Sequence, residues 1–296
     1  MRIFVTGASG FVGSAVIQDL IASGHQVLGL ARSNASAEAL KATGAEVHRG
    51  DLEDLESLRS GAADADGVIH TAFNHDFSKF VENCALDERA IQALGSALAG
   101  SGRPLIVTSG IGVLRGNGLL TEDVRRDPNT PNPRVSEEAT DRVAEQGVRT
   151  ALIRLAPSVH GDGDHGFVPL LINIARQKGA SAYIGDGQNL WPAVHRLDAA
   201  PLFRLALEKG TPGTRYHAVA EEGLPFRDIA EVIGRRLNLP VVSKTPEEAG
   251  EHFGWFTHFA SMNIPASSEW TRQQLGWQPT QPGLIADLDR PSYFER

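Results

Sequence analysis

The residues with the clearest chemical meaning are three glycines at positions 7, 10 and 13. An apolar run at 3–5 precedes them and predicts a buried strand, and an apolar 3.6-residue period follows them and predicts a helix. Between a strand and a helix, such glycines permit a tight turn, approach of a pyrophosphate and close helix packing. The pattern predicts dinucleotide binding through Gly7, Ser9, Gly10, Phe11, Val12 and Gly13. An ordinary strand-to-helix turn is the alternative.

The cofactor type is read from the end of the second predicted strand. That strand ends at Ala31 and is followed by Arg32 and Ser33, with no acidic residue nearby. An acid there would accept the 2′-hydroxyl of NAD, whereas an arginine suits the 2′-phosphate of NADP. The sequence favours NADP, with a solvated surface arginine as the alternative. After the third predicted strand, Asp51 and Leu52 are expected at the adenine, with a simple turn aspartate as the alternative for Asp51.

Strand and helix patterns alternate through the first half of the chain, which is typical of a parallel sheet. Beyond the first unit, the sequence predicts strands at 25–31, 45–48, 67–72, 104–108 and 150–155 and helices at 37–42, 54–61, 80–98 and 136–146. Residues 115–133, rich in Gly, Asn and Pro, are predicted to form a loop. Further helices are predicted at 167–176, 197–207, 225–237 and 268–275.

These elements predict an α/β fold with a Rossmann-type doubly wound parallel sheet. Residues 1–157 are expected to form the dinucleotide-binding domain. Residues 158–296 are expected to form mainly a smaller C-terminal α/β substrate lobe, with some segments returning to the sheet. In such open sheets, ligands bind at the carboxyl ends of the strands.

Composition narrows the class of protein. The chain has 296 residues, 41% of them hydrophobic and 22% charged, as in ordinary soluble proteins. A net charge of −8 disfavours nucleic acid or an anionic membrane as a partner. The single Cys84 excludes an internal disulfide and fits a reducing cytosol. Because Met1 leads directly into a strand and no apolar stretch approaches ~20 residues, we expect a cytoplasmic protein without a signal peptide or membrane span.

Several further motifs lie along the chain: Gly50-Asp51-Leu52, Val68-Ile69-His70-Thr71-Ala72, Ile106-Val107-Thr108-Ser109, Arg154-Leu155-Ala156-Pro157-Ser158-Val159-His160-Gly161, Val194-His195-Arg196-Leu197-Asp198 and Leu275-Gly276-Trp277-Gln278-Pro279. With them, nearly the whole chain resembles the extended short-chain dehydrogenase/reductase superfamily, which includes nucleotide-sugar epimerases and ketone reductases. The resemblance implies an NAD(P)-dependent enzyme, a monomer or homodimer, whose cofactor is also lined by Thr71, Ala72, Phe73, Thr108 and Pro157.

The chain departs from this family at its acid/base pair. The family uses a tyrosine followed four residues later by a lysine, on the helix after the fifth strand. The tyrosine exchanges a proton with the substrate oxygen, and the lysine lowers the pKa of that tyrosine. Here the tyrosines at 183, 216 and 293 have no such lysine, and no lysine lies between Lys79 and Lys178. The helix in question reads 134–142 without either residue.

Five residues are candidates for the missing chemistry. Ser109, at the end of the fifth strand, suits a hydrogen bond to a substrate carbonyl, or else caps the following loop. His160, expected near the nicotinamide, is a candidate proton donor, or else a loop histidine bonded to the backbone. Asp87 replaces an asparagine that the family often has, with a structural role as the alternative. Arg134 and Arg142 are candidates for the missing cation, or else lie on a solvated helix face.

No metal site is expected. The run Gly161-Asp162-Gly163-Asp164-His165-Gly166 has alternate oxygen ligands but lacks the later glutamate of a calcium loop. His160, His165 and His195 are expected to be scattered. Trp191, Phe253, Trp255 and Phe256 are candidates for an apolar substrate pocket, with core packing as the alternative.

Three functions remain open. The favoured one is NADPH-dependent reduction of a ketone or aldehyde in a small or medium organic substrate, because the cofactor carries the hydride chemistry. The second is epimerisation or dehydration of a nucleotide sugar, for which Arg196, Arg215 and Arg272 look too isolated to bind a diphosphate. The third is a non-catalytic NADPH-binding sensor, which the absent tyrosine and lysine favour.

Overall fold

A computed structural model describes residues 1–116, 118–127, 129 and 132–295. Its strands are β1 (Arg2–Thr6), β2 (Gln26–Ala31), β3 (Glu46–Arg49), β4 (Gly67–His70), β5 (Pro104–Gly110), β6 (Arg149–Leu155), β7 (Ser158–His160), β8 (Ser181–Ile184), β9 (Leu190–His195), β10 (Thr214–Ala218), β11 (Glu221–Pro225) and β12 (Val241–Lys244).

Its helices are α1 (Phe11–Ala22), α2 (Asn34–Ala42), α3 (Leu55–Ala63), α4 (Phe80–Leu98), α5 (Ser136–Glu145), α6 (Phe167–Lys178), α7 (Arg196–Lys209), α8 (Phe226–Leu237), α9 (Pro246–Phe253), α10 (Thr257–Ala260), α11 (Glu269–Leu275) and α12 (Leu284–Leu288). None of the described helices is both long and apolar enough to cross a membrane.

Seven parallel strands form the main sheet in the order β10-β6-β5-β4-β1-β2-β3. Helices α3, α4 and α5 bury their apolar faces on one side of it, and α1, α2 and α7 bury theirs on the other. The predicted doubly wound α/β fold is therefore confirmed. The strand order reverses between β1 and β4, and this reversal opens a crevice at the carboxyl ends of the strands, where ligands bind in such sheets.

The later part of the chain packs around its own core, in which Trp191, Phe226 and Phe256 meet apolar residues of α6, α8, α9 and α12. It carries a three-stranded sheet, β11-β9-β7, and a two-stranded sheet, β12-β8. Strand β10 leaves this part and pairs with β6 at the edge of the main sheet. The predicted domain boundary at residue 157 stays a prediction.

The predicted helix at 80–98 coincides with α4. The fourth strand, predicted at 67–72, ends at His70, two residues before its predicted end. Of the loop predicted over 115–133, positions 117, 128, 130 and 131 lie outside the described residues. The described remainder holds an isolated bridge between Leu120 and Ala266 but no helix or regular strand.

Candidate active site

The turn between β1 and α1 is shaped by glycines that a larger residue could not replace. Gly7 has a φ of +67°, and a Cβ there would lie 2.7 Å from the backbone nitrogen of Ala72. A Cβ at Gly13 would lie only 2.0 Å from the carbonyl oxygen of Gly7. The Gly10 N–H donates to that same oxygen at 2.8 Å. This tight cradle fits the pyrophosphate of a dinucleotide.

The start of α1 is left open for an anion. Gly10 supplies no side-chain cap, whereas α2 and α3 begin with capping side chains from Ser33 and Asp54. The first-turn N–H groups of a helix have no partner within the helix. Residues 9–12, which form this turn, are exposed or half-buried. The positive end of α1 therefore faces the crevice with donors available for phosphate oxygens.

Arg196 adds a cation beside this helix end. Its guanidinium carbon lies 5.0 Å from the ring centre of Phe11, and its Nη1 donates to the Asp162 carbonyl at 3.1 Å. Burial lowers the pKa of Arg196, and within the described residues it forms no ion pair. The His165 ring lies 5.6 Å from the Phe11 ring. Arg196 therefore lies beside the start of α1. The expectation that it is too isolated from other cations to bind a diphosphate stays a prediction.

At the ribose end, Arg32 and Arg49 flank the start of α2. Nε of Arg32 lies 3.7 Å from Oδ2 of Asp51, and the Arg32 side chain is 81% exposed. Nη2 of Arg49 donates to Oδ1 of Asn34. Arg49 was not predicted from the sequence. The parallel register places it beside the ribose end, because it pairs Arg49 with Ala31, the last residue of β2.

Two other predicted ribose and adenine contacts have local roles. The Ser33 hydroxyl accepts from the Ser36 N–H at 3.1 Å in a capping box. Asp51 accepts from the Glu53 N–H at 3.0 Å, and Leu52 is half-buried beside it. Their contacts with a cofactor stay predictions.

The ends of β4 and β5 lie next to the phosphate cradle. The Thr71 hydroxyl donates to the Thr6 carbonyl at 2.7 Å, and the Thr108 hydroxyl donates to the His70 carbonyl at 2.8 Å. Pro157, half-buried, joins β6 to β7. The structure thus brings Thr71 and Ala72 against Gly7, with Phe73 next along the chain, as cofactor lining requires.

Asp87 is held in a buried hydrogen-bonded chain that spans the sheet. Its Oδ1 lies 3.1 Å from Nε2 of His70, whose Nδ1 lies 2.7 Å from the Thr6 hydroxyl. Its Oδ2 accepts from the Ser136 hydroxyl at 2.6 Å. Burial opposes ionisation, but the hydrogen bond to His70 and the charge of Arg134 hold the pKa of Asp87 below its ordinary value. Asp87 is therefore a buried anion.

Arg134 lies at the mouth of this network. Its Nε donates to the Ser136 hydroxyl at 3.2 Å, and its Nη2 donates to the Thr108 carbonyl at 3.3 Å. The guanidinium carbon sits 4.2 Å from the ring centre of Phe73. Within the described residues Arg134 forms no ion pair, and its Nη1 makes no hydrogen bond. Arg142 differs, because it pairs with Glu88 on the surface.

Ser109 is turned into a different buried network. Its hydroxyl donates to Oε1 of Glu137 at 3.3 Å, and Glu137 accepts two hydrogen bonds from Arg154, at 2.9 and 2.8 Å. Arg215 donates to Glu137 at 3.3 Å. Burial opposes ionisation, but Arg154 and Arg215 hold the pKa of Glu137 below its ordinary value. The structure does not bring Ser109 into contact with Asp87 or Arg134.

His160 belongs to a third cluster, in the later part of the chain. Its Nδ1 lies 2.9 Å from Oδ2 of Asp287, and the Tyr293 hydroxyl lies 3.3 Å from that oxygen. The rings of His160 and His195 are 5.2 Å apart, so the expectation that these histidines are scattered is wrong. Within the described residues, His160 has no contact with Ser109, Asp87 or Arg134.

His160, His195 and Asp287 offer ligand atoms that all lie within 4.8 Å of one another. Burial, together with His160, lowers the pKa of His195. Its Nδ1 accepts from the Leu197 N–H at 3.2 Å, so Nε2 of the neutral ring carries a proton instead of the lone pair that a metal needs. The expectation of no metal stays a prediction.

Comparison with known proteins decides the family. Residues 7–155 match the family of NAD(P)H-binding domains. An uncharacterized protein of Schizosaccharomyces pombe is 55% identical over 295 residues, which cover 99% of this chain and 100% of its own. A 2-alkyl-3-oxoalkanoate reductase of Stenotrophomonas maltophilia is 31% identical over 82% of this chain and 78% of its own.

The chain belongs to the extended short-chain dehydrogenase/reductase superfamily. The fold agrees: a dTDP-glucose 4,6-dehydratase of Streptomyces venezuelae, solved with NAD, superposes with a TM-score of 0.78 over 99% of this chain and 97% of that one, at 20% identity. The cofactor end of the crevice keeps the superfamily pattern. Just before α5, the helix that follows β5, this chain presents Arg134 and its hydrogen-bonded support.

Proposed function

We propose that this protein reduces an aldehyde or ketone with NADPH, and that Arg134 polarises the substrate carbonyl. The observation that carries the proposal is the guanidinium of Arg134, which has a free Nη1 donor and no ion pair among the described residues, beside Phe73 and the end of β5. A cation at this place stabilises the negative charge that develops on a carbonyl oxygen during reduction.

When bound, the reduced nicotinamide supplies the hydride. The protein positions the substrate carbonyl and supplies the positive charge of Arg134. Arg134 cannot give up its own proton at neutral pH, so it stabilises the alkoxide electrostatically while solvent water supplies the proton.

Asp87 acts as a positioning residue for this cation. Its carboxylate accepts from the Ser136 hydroxyl, which in turn accepts from Nε of Arg134. This chain of hydrogen bonds fixes the plane of the guanidinium without neutralising it through direct contact. Arg134 thus keeps a full charge aimed at the crevice, as a carbonyl-polarising group requires.

NADP is favoured over NAD because Arg32 and Arg49 both reach the start of α2. Guanidinium groups form forked hydrogen bonds with phosphate oxygens, and a 2′-phosphate at this place would lie between two of them. Asp51 lies near enough to Arg32 to hold its guanidinium over the same site.

The pairing of the arginines argues against a nucleotide-sugar substrate. Binding a sugar diphosphate needs clustered free cations in the substrate lobe. Among the described residues, Arg215 pairs with Glu137 and Asp141, and Arg290 pairs with Asp287. Arg272 donates to the carbonyls of Val219 and Ala220. The charge of Arg215 is therefore already balanced by two carboxylates, and the expectation that these arginines do not bind a diphosphate stays a prediction.

The test is cofactor consumption by the purified protein with a panel of aldehydes and ketones, using NADPH and NADH side by side. We expect NADPH to be consumed, an alcohol to form in equal amount, and NADPH to bind about tenfold more tightly than NADH. Tight NADPH binding without turnover of any carbonyl would favour a sensor. Inversion of a nucleotide sugar without net cofactor consumption would establish an epimerase.

A further inference from the structure

Six aromatic side chains meet over the substrate end of the crevice, and we name them the aromatic clamp: Phe73, Phe77, Phe80, Phe167, Trp255 and Phe259. Phe77 lies at its centre, stacked on Trp255 at 4.9 Å with 24° between the ring planes. The ring of Phe77 is also 5.7 Å from Phe80, 6.0 Å from Phe167 and 5.7 Å from Phe259. Three rings thus come from the segment after β4 and three from the later part of the chain.

The clamp differs from the neighbouring core. Trp191, Phe253 and Phe256, also considered for a pocket from sequence, are buried in that core. Trp255 is instead 55% exposed, and Phe77, Phe80, Phe167 and Phe259 are half-buried. Rings that stack on one another while remaining partly in water leave an apolar surface that a ligand can cover.

The clamp is continuous with the proposed reaction centre. Its first member, Phe73, directly follows Ala72, whose backbone closes on Gly7 of the phosphate cradle. The ring of Phe73 lies under the guanidinium of Arg134 and 6.3 Å from the ring of Phe80. A flat molecule with its carbonyl at Arg134 would therefore extend directly onto the rings of the clamp.

The packing of Phe77 decides where such a molecule can lie. Phe77 begins a single 3-10 turn, Phe77–Lys79, between β4 and α4. This turn is held at its start by Asp76, whose side chain accepts from the Ser78 N–H at 3.0 Å. Because the Phe77 ring already contacts Phe80 and Trp255, a further ring has room on the exposed side of Trp255.

We propose that the substrate is a neutral, planar aromatic aldehyde or ketone, with its ring stacked on Trp255 beside Phe77 and its carbonyl oxygen at Arg134. This inference rests on the proposed reductase function. The hydride adds to the carbonyl carbon, the π pair of the C=O bond moves to oxygen, and that oxygen takes a proton from water. The products are an aryl alcohol and the oxidised nicotinamide. The ring is expected to be neutral because the clamp offers it aromatic faces, while the carbonyl uses the charge of Arg134.

The test compares benzaldehyde and 2-naphthaldehyde with cyclohexanecarbaldehyde, which matches benzaldehyde in size but is not planar. With NADPH, we expect kcat/KM for the aromatic aldehydes to exceed that for the saturated one by about tenfold or more. Trp255→Leu and Phe77→Leu should bring that ratio close to unity. Trp270→Leu is the matched control, because Trp270 is a 40% exposed tryptophan stacked on Tyr216 outside the clamp.

A binding measurement separates the two proposals. Calorimetric titration with 2-naphthamide, which is planar and not reducible, should show binding to the NADP-loaded protein and loss of binding in Trp255→Leu. Equal kcat/KM for the three aldehydes, unchanged in Trp255→Leu, would overturn the aromatic class and leave the reductase standing. No turnover of any aldehyde, with 2-naphthamide still bound in a Trp255-dependent way, would overturn the reductase and keep the aromatic site.

Discussion

The two ends of the crevice are built from different parts of the peptide. The cofactor end is made of backbone: the turn at Gly7, the uncapped start of α1 and the packing at Gly13. The substrate end is made of side chains that reach one another from separate elements, as in the chain from Thr6 through His70, Asp87 and Ser136 to Arg134.

This difference explains why one end keeps the superfamily pattern and the other does not. A backbone cradle depends on the absence of side chains, so a few glycines preserve it whatever surrounds them. A side-chain site depends on each partner, so the proposed role of Arg134 requires partners of its own. Ser136 and Asp87 form such a set through hydrogen bonds.

The largest effect should follow from filling the backbone cradle. In Gly13→Ala, the new Cβ would lie 2.0 Å from the Gly7 oxygen, so α1 must move away from β1. We expect NADPH affinity to fall by at least about a thousandfold, roughly 4 kcal/mol, in a fluorescence titration.

Gly250→Ala is the control, because a Cβ at this position of α9 meets no atom within 4 Å. Alanine is the better helix former, so this variant should gain about 0.5–1 kcal/mol of stability with NADPH binding unchanged. Normal NADPH binding by Gly13→Ala would show that the backbone cradle is not the cofactor site.

The next largest effect tests whether the network around Ser109 is structural. Glu137→Gln would leave Arg154, which is fully buried, without its anion. We expect a loss of about 3–5 kcal/mol in the free energy of unfolding, measured with urea. As a control, Glu88→Gln breaks a surface pair with Arg142 and should cost less than about 1 kcal/mol. Equal losses in both variants would contradict the structural role of Glu137.

A pH-dependent effect on stability is expected from Asp164, in the loop between β7 and α6. Burial raises the pKa of the Asp164 carboxyl from 3.8 to about 6. Because the folded state holds this proton more tightly, Asp164 lowers stability as pH rises from about 4 to about 6, by up to about 3 kcal/mol.

Asp164→Asn removes this ionisation. The unfolding free energy of the variant relative to the natural protein should therefore increase between about pH 4 and pH 7, by about 2–3 kcal/mol. Two parallel stability curves over this range would show that Asp164 titrates normally.

The smallest effect is expected at the ribose end, where the site consists of exposed side chains. Arg32→Ala should weaken NADPH binding by about tenfold, 1.4 kcal/mol, and leave NADH binding unchanged. Arg49→Ala should act in the same direction. Equal weakening of both cofactors would indicate that these arginines do not read the 2′-phosphate.

The sequence predicted those features that depend on neighbouring residues. The glycine turn is local, and α4 has a long apolar face that sets its limits at Phe80 and Leu98. All strands after the sixth, β7 to β12, were missed, because these runs of three to six residues carry too little alternation to detect. The strand pairing that places Arg49 beside α2 requires the parallel register, which the sequence does not state.

The substrate end could not be predicted for the same reason. His160 follows the sixth strand and looked close to the nicotinamide, yet its partner is Asp287, 127 residues later. Ser109 ends a central strand, yet its hydroxyl bonds to Glu137 on α5. Arg134 and Arg142 were equal candidates for a cation, and the contact of Arg134 with Phe73 distinguishes the two. These outcomes depend on contacts between distant segments.

The most direct test of the rebuilt substrate end is the rate of carbonyl reduction in Arg134→Ala, with Arg142→Ala as a matched control on the surface of α5. We expect kcat/KM to fall by about a hundredfold or more while NADPH affinity stays unchanged, as for loss of an oxyanion-stabilising donor. Added guanidinium ion should restore part of the rate in Arg134→Ala and none in the control. A rate in Arg134→Ala equal to that of the natural protein would contradict the account.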